Sequence, residues 1–190
     1  MSRPREFDPE AVLDAALQAF WSGGLATTSV DDLLRATGLS RSSMYQCIGS
    51  RDALMGLAVT RYVEQQIAAL GRVFAAQPFS QAIETLLTDA ALDNFNGRGC
   101  LLANGLTELH GADRTRIPVV QAGVHRLAEA LREAIARSAP QGTDSAQCCV
   151  DVLAAIVGLR TLQRAGIDEP MLQSAARRFA RVLTAGGQWP

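Results

Sequence analysis

The sequence predicts an all-α protein of about nine helices, three short ones first and a larger helical region behind them. Three observations carry that expectation. Apolar residues recur at helical spacing almost throughout, strand-like alternation is scarce, and Gly and Pro punctuate the periodic stretches. No internal repeat or low-complexity tract interrupts the pattern. With 190 residues, 48% of them apolar, the chain can bury one large core or two small ones.

The elements follow from their boundary signals. Asp8 is an N-cap with Pro9 at the first helical position, and Val12, Leu13, Ala16, Leu17 and Phe20 form the apolar stripe that Gly23-Gly24 ends. Ser29-Val30-Asp31-Asp32 has the capping-box form with Asp in place of Glu, and it starts a short helix that Gly38 stops. Ser40 caps a third helix, Arg41 to Cys47, and Gly49-Ser50 separates it from a long fourth, Arg51 to about Gln77. Pro78 breaks the chain. Ser80 is the expected cap of a fifth helix reaching about Phe95, Asn96 to Gly99 turns, and a sixth helix runs from Cys100 to Leu109. Pro118 starts a seventh, Thr143 or Asp144 caps an eighth to Arg164, and Asp168-Glu169-Pro170 opens the ninth. The natural division is residues 1–50, linked through helix 51–77, and a second region over 51–190.

Composition excludes several functions. Four cysteines, Cys47, Cys100, Cys148 and Cys149, include no Cys-x-x-Cys pair and have only His110 and His125 beside them, so neither a structural zinc nor a disulfide framework is expected. No cofactor motif is visible. Beyond the charged start, Met1 to Glu10, no apolar run approaches the roughly 18–20 residues of a membrane span, which implies a cytoplasmic protein with no membrane partner. All 18 basic residues are arginine, and net charge is −1. The first 60 residues hold five arginines against seven acidic residues, so no basic half announces a nucleic acid.

The layout says more than the bulk charge. Two short helices joined by Thr37-Gly38-Leu39-Ser40 form a helix-turn-helix pattern, in which Gly38 permits the turn and Leu39 plugs the angle. The second helix presents Arg41, Ser42, Ser43 and Gln46, small and polar enough for a major groove, and Tyr45 carries a hydroxyl that can reach a phosphate. Any short polar surface helix shares this composition. Arg3 and Arg5, held apart by Pro4, form an arm suited to the backbone or minor groove, or else a solvated tail.

The wider pattern is more specific. Residues Phe7 to Arg61 resemble the DNA-binding domain of the TetR family: Ala-Phe-Trp closing the first helix, then Gly-Gly-Leu-Ala-Thr-Thr-Ser-Val, Gly-Leu-Ser-Arg-Ser-Ser-Met-Tyr and Gly-Ser-Arg-Asp-Ala-Leu. Cys47 and Ile48 depart from the aromatic or histidine and the phenylalanine usual there. The resemblance implies phosphate contacts at Thr28, Tyr45 and Arg51, a groove-facing set of Ser40, Arg41, Ser42 and Gln46, and packing roles for Leu33, Leu34, Leu39 and Met44. It also implies a homodimeric repressor with a palindromic double-stranded DNA operator and a small-molecule effector.

Behind this domain the resemblance is one of architecture, with one local exception. Arg98-Gly99-Cys100-Leu101-Leu102-Ala103-Asn104, followed by Glu108-Leu109, looks like the opening of the sixth helix in a TetR subgroup, where it hangs between the DNA-binding domain and the pocket. Leu87, Cys100, Leu101, Asn104, His110, Val124 and Leu127 are the candidate effector residues, and their character suggests a mostly apolar ligand. His110 also reads as a helix-end cap and Cys100 as a small buried hydrophobe. Val150, Leu153, Ala154 and Val157 on the eighth helix, with Leu172, Phe179 and Val182 on the ninth, are stripes that can pair with a second copy in a four-helix bundle or finish a monomer core. An enzyme is not expected, because Cys100 and His110 stand about 15 Å apart on one helix. The alternatives are a thiol-based redox or electrophile sensor acting through Cys100, and a helical adaptor that does not bind DNA.

Overall fold

The computed structural model describes residues 8–92 and 97–185, and all regular structure among them is helical. In order come α1 (Pro9–Gly23), α2 (Val30–Thr37), α3 (Arg41–Cys47), α4 (Arg51–Ala76), α5 (Phe79–Ala91), α6 (Leu101–Ala112), α7 (Ile117–Ser138), α8 (Ser145–Arg164) and α9 (Glu169–Thr184). A 3-10 turn, Arg114–Arg116, precedes α7. The all-α expectation holds, with a helix-turn-helix at the start.

Four helix starts use the expected side-chain caps, Asp8, Ser29, Ser40 and Asp144. Asp8 accepts from the Glu10 N–H at 3.0 Å, and Asp144 accepts from the N–H groups of Ala146 and Gln147. Ser29 and Asp32 form a reciprocal box, each side chain accepting from the other's backbone N–H, at 3.2 and 2.9 Å. Two boundaries differ. α5 starts at Phe79 directly after Pro78 with no side-chain cap, so Ser80 lies inside the helix rather than before it. Proline leaves no N–H to satisfy and presets the turn, which makes a hydroxyl cap dispensable. α6 starts one residue later than expected, leaving Cys100 ahead of it, and runs on to Ala112. The expected end of α5 near Phe95 lies outside the described residues.

The chain packs as two compact units, and the division does not fall at residue 50. Met1–Glu64 and Leu101–Gly123 form the first, Gln65–Cys100 and Val124–Pro190 the second. The first half of α4 and all of α6 therefore belong with the helix-turn-helix, because apolar side chains hold them there. Phe20, Leu25, Leu54, Tyr62, Leu101 and Leu109 are all within 1–2% of full burial. Trp21 meets Tyr62 edge to face with ring centroids 5.0 Å apart. Gly105 on α6 lies against Leu25, where a Cβ would force the Leu25 side chain to shift.

In the second unit α5 lies between α8 and α9, and Ile83, Leu87, Ile135, Val152, Leu172 and Ala176 form its centre. Leu172, expected on a dimer face, is only 2% exposed and belongs to this chain's own core. Its helix packs on α5, which takes up that stripe. The expectation that no apolar run approaches a membrane span is also corrected: α8 averages a mean hydropathy of 1.4 over 18 residues, long and apolar enough to cross a bilayer by length and composition alone. Only 22% of that stretch is buried within the chain.

Candidate nucleic-acid interface and ligand cavity

The reading helix is positioned by what it buries. Leu33, Leu39 and Met44 are 1%, 7% and 0% exposed, and with Gly38 in the left-handed region (φ 71°) they lock α3 against α2. With Met44 pointing inward, Ser42 and Gln46, about 160° round the helix from it, point outward, and Arg41 and Tyr45 flank them. All four are exposed, Tyr45 by 48%. With side chains an α-helix is about 10–12 Å across, which fits a major groove about 12 Å wide.

Ser40 and Ser43 play a different part. Ser40 Oγ accepts from the Ser43 N–H at 3.0 Å and donates to Ser43 Oγ at 2.8 Å, which leaves Ser43 half-buried. These hydroxyls hold the helix start. Arg41 donates to Asp31 Oδ1 at 2.5 Å, a pair on the exposed surface that sequence reading missed because its members stand ten residues apart on different helices. So exposed a pair contributes little to stability, but it fixes where the guanidinium waits.

Two expected phosphate contacts are turned inward. Arg51 donates through Nε to the Thr28 carbonyl at 2.8 Å and through its terminal nitrogens to the Leu25 carbonyl and Asp52, and it stacks 5.2 Å over the Phe20 ring. Its side chain is 13% exposed. Thr28 is 4% exposed, and its hydroxyl donates to the Gly24 carbonyl at 2.8 Å. The physical reason is common to both: the turn between α1 and α2 leaves carbonyls that need donors, and these side chains supply them. Arg3 and Arg5 lie outside the described residues.

The same turn receives a carboxylate. Glu108 Oε2 on α6 accepts from the Ala26 N–H at 3.3 Å, so this side chain serves the first unit. The Thr115 hydroxyl and N–H hold the Asp113 carboxyl below its ordinary value, and Arg116 bridges Asp113 and Asp52 at 3.2 and 3.0 Å.

The second unit contains a largely apolar cavity of about 310 Å³ among its segment of α4 and helices α5, α7 and α8. Of the seven expected effector residues, Cys100 and Leu127 line it. Leu87 is fully buried in the core, and Val124, half-buried in the second unit, is not among the lining residues. Leu101 and Asn104 belong to the first unit. His110 is exposed with Nδ1 2.8 Å from the Leu106 carbonyl, the bland role its sequence position allowed. The polar groups sequence reading missed are Gln66, Asp89 and Arg160. Burial pushes the Asp89 carboxyl up, and the Arg160 charge opposes that shift. Burial also pushes both the Cys148 and Cys149 thiols up, which makes them poor nucleophiles.

Residues 12–56 match the family of bacterial regulatory proteins, tetR family. The helix-turn-helix region of this chain is therefore similar to that of the TetR family. The chain is 33% identical over 116 residues to the HTH-type transcriptional repressor ComR of Escherichia coli, a match spanning 56% of this chain and 53% of that protein, about half its length. It is 29% identical over 146 residues, 75% of each chain, to an uncharacterized HTH-type transcriptional regulator, YezE, of Bacillus subtilis. Its fold is shared with a cysteine-substituted CifR regulator complexed with 26-bp operator DNA (TM-score 0.74, 23% identity, 100% of both chains). A TetR-family regulator from Cytophaga hutchinsonii is similar as well (TM-score 0.76, 17% identity, 95% of both chains).

In this chain the expected pairing face is partly open. Val150 is 61% exposed, Val157 37%, and Ala154 is also exposed, whereas Leu153, Phe179 and Val182 are half-buried. Met171 and Leu162, 65% and 47% exposed, were not anticipated as apolar surface.

Proposed function

We propose that the chain is a cytoplasmic, homodimeric transcriptional repressor that binds a palindromic operator through α3 and is released by a small, mostly apolar effector in the cavity of the second unit. The observation that carries the reading is the outward face of Arg41, Ser42, Tyr45 and Gln46 on a helix locked by buried Met44. Base contacts fall to Arg41, Ser42 and Gln46 and a phosphate contact to Tyr45, with Ser40 and Ser43 setting the helix start. One such helix reads too few bases for a specific site, so two copies on half-sites about 34 Å apart are needed. The open apolar face of α8 around Val150, Ala154 and Val157 supports that pairing.

The test uses the DNA adjacent to the protein's own gene. A palindromic fragment from it should bind at least about 10³-fold tighter than random duplex, with affinity falling steeply as salt rises. Failure to retain any duplex at low salt would favour the adaptor reading. Cys100 on the cavity wall favours a second mode of release, addition of an electrophile to its thiol. A Cys100→Ser protein that loses its response to maleimide but keeps reversible release would separate the two.

A further inference from the structure

The cavity of the second unit is apolar over most of its wall, and among the described residues its charged members are Asp89 and Arg160. Asp89 is exposed to solvent while lining the cavity, as is Val157, whereas Leu70 and Leu131 of the same wall are buried. Arg160 is half-buried there. The two side chains stand close enough for the arginine's charge to be felt at the carboxyl.

A ligand whose body fills the interior must place its head between opposite charges. A carboxylate head gains at Arg160 and is repelled by Asp89; an ammonium head meets the reverse. Both also expel water from a charge they cannot hydrogen-bond. A hydroxyl can donate to the carboxylate and accept from the guanidinium at once, replacing the water that each loses. Gln66, the other polar residue used here, adds an amide that pairs equally well with a neutral head.

We infer that the effector is an uncharged amphipathic molecule, an apolar body ending in a hydroxyl or similar donor–acceptor group, whose head is read by Asp89 and Arg160. This rests on the cavity being the effector site. Its volume, near the lower end of the roughly 300–1,000 Å³ usual for ligand pockets, limits the body to a short chain or a small ring system.

The experiment uses the full chain and the uncharged fluorescent probe N-phenyl-1-naphthylamine, displaced at neutral pH by 1-octanol, octanoate or octylammonium. The three share one apolar chain and differ only in head. In the wild type, octanol should displace the probe at concentrations about tenfold below either ion, the cost of one mismatched polar contact. Asp89→Asn should improve octanoate about tenfold and Arg160→Gln should improve octylammonium similarly, with octanol changing far less in both. Octanoate or octylammonium winning in the wild type, or no change of ranking in either variant, overturns the headgroup assignment and leaves the cavity reading intact. The cavity reading itself is tested by Ala69→Phe and, independently, Leu127→Trp, each checked for native helicity. Both should abolish probe binding, and undiminished binding in folded variants, or none in the wild type, would remove the cavity as the ligand site and the inference with it.

Discussion

Replacing Arg51 with methionine separates an internal support from a phosphate contact. The substitution keeps an apolar stem but removes two charge-assisted hydrogen bonds, to the Thr28 and Leu25 carbonyls, and the stacking on Phe20. Each bond to a charged donor contributes about 1.5 kcal/mol, and the cation–π contact about 0.5–1 kcal/mol. Asp52, half exposed, loses little. Arg51→Met should therefore destabilise the chain by about 2–4 kcal/mol, which for a protein of this size lowers Tm by roughly 5–15 °C at fixed protein concentration. Arg51→Lys should fall between, because an ammonium cannot span two carbonyls with a planar fork. The decisive assay pairs thermal melting with operator affinity against salt, measured well below the variant's melting point. An internal support leaves the slope of log affinity against log salt unchanged, whereas loss of one phosphate contact reduces it by about 0.9 per subunit. Unchanged melting within about 0.5 kcal/mol together with a reduced slope would refute the inward role of Arg51.

Other consequences follow from the same geometry. Arg41→Ala should change which bases are preferred while Tyr45→Phe weakens all sequences alike, measured on a panel of single-base operator variants; equal losses on specific and random DNA in Arg41→Ala would remove it as a base reader. Val157→Asp should give monomers by sedimentation and lose operator binding, since a charge buried in an apolar interface costs several kcal/mol. Ser29→Ala should cost about 1 kcal/mol in urea unfolding through loss of the cap. The Ser29 hydroxyl and N–H hold the Asp32 carboxyl below its ordinary 3.8, so the stabilisation is full above that value and fades as pH falls through the lower folded-state value. Acid titration of the wild type should show this loss below about pH 4, and Ser29→Ala should diminish it.

Local signals made the first part of the chain legible. Caps at Asp8, Ser29, Ser40 and Asp144 act within three residues of themselves, so each could be read before any tertiary contact was known. The outward face of α3 was legible for the same reason, because one buried methionine sets the rotation of a seven-residue helix. The inward roles of Arg51 and Thr28 were not legible because their partners are carbonyls in the turn between α1 and α2, and backbone groups have no residue signature. Leu172 was misjudged because a helical stripe shows that a face is buried but not whether its partner is the same chain. The charged rim of the cavity was invisible because Asp89 and Arg160 stand apart on α5 and α8.

The chain crosses between its two units at three places: within α4 after Glu64, within α7 after Gly123, and between Cys100 and Leu101. Two crossings lie inside continuous helices, α4 and α7. The third lies one residue beyond Gly99, whose φ of 67° favours glycine, and one residue ahead of α6. Cys100, the last residue of the second unit before that crossing, lines the cavity, while Gly105 and Glu108 of α6 abut Leu25 and hold the Ala26 N–H. A ligand touching Cys100 thus acts one peptide bond from a helix packed on the turn that feeds α2. The coupling is reciprocal: an effector that weakens operator affinity tenfold must itself bind tenfold more weakly, about 1.4 kcal/mol, to the DNA-bound protein.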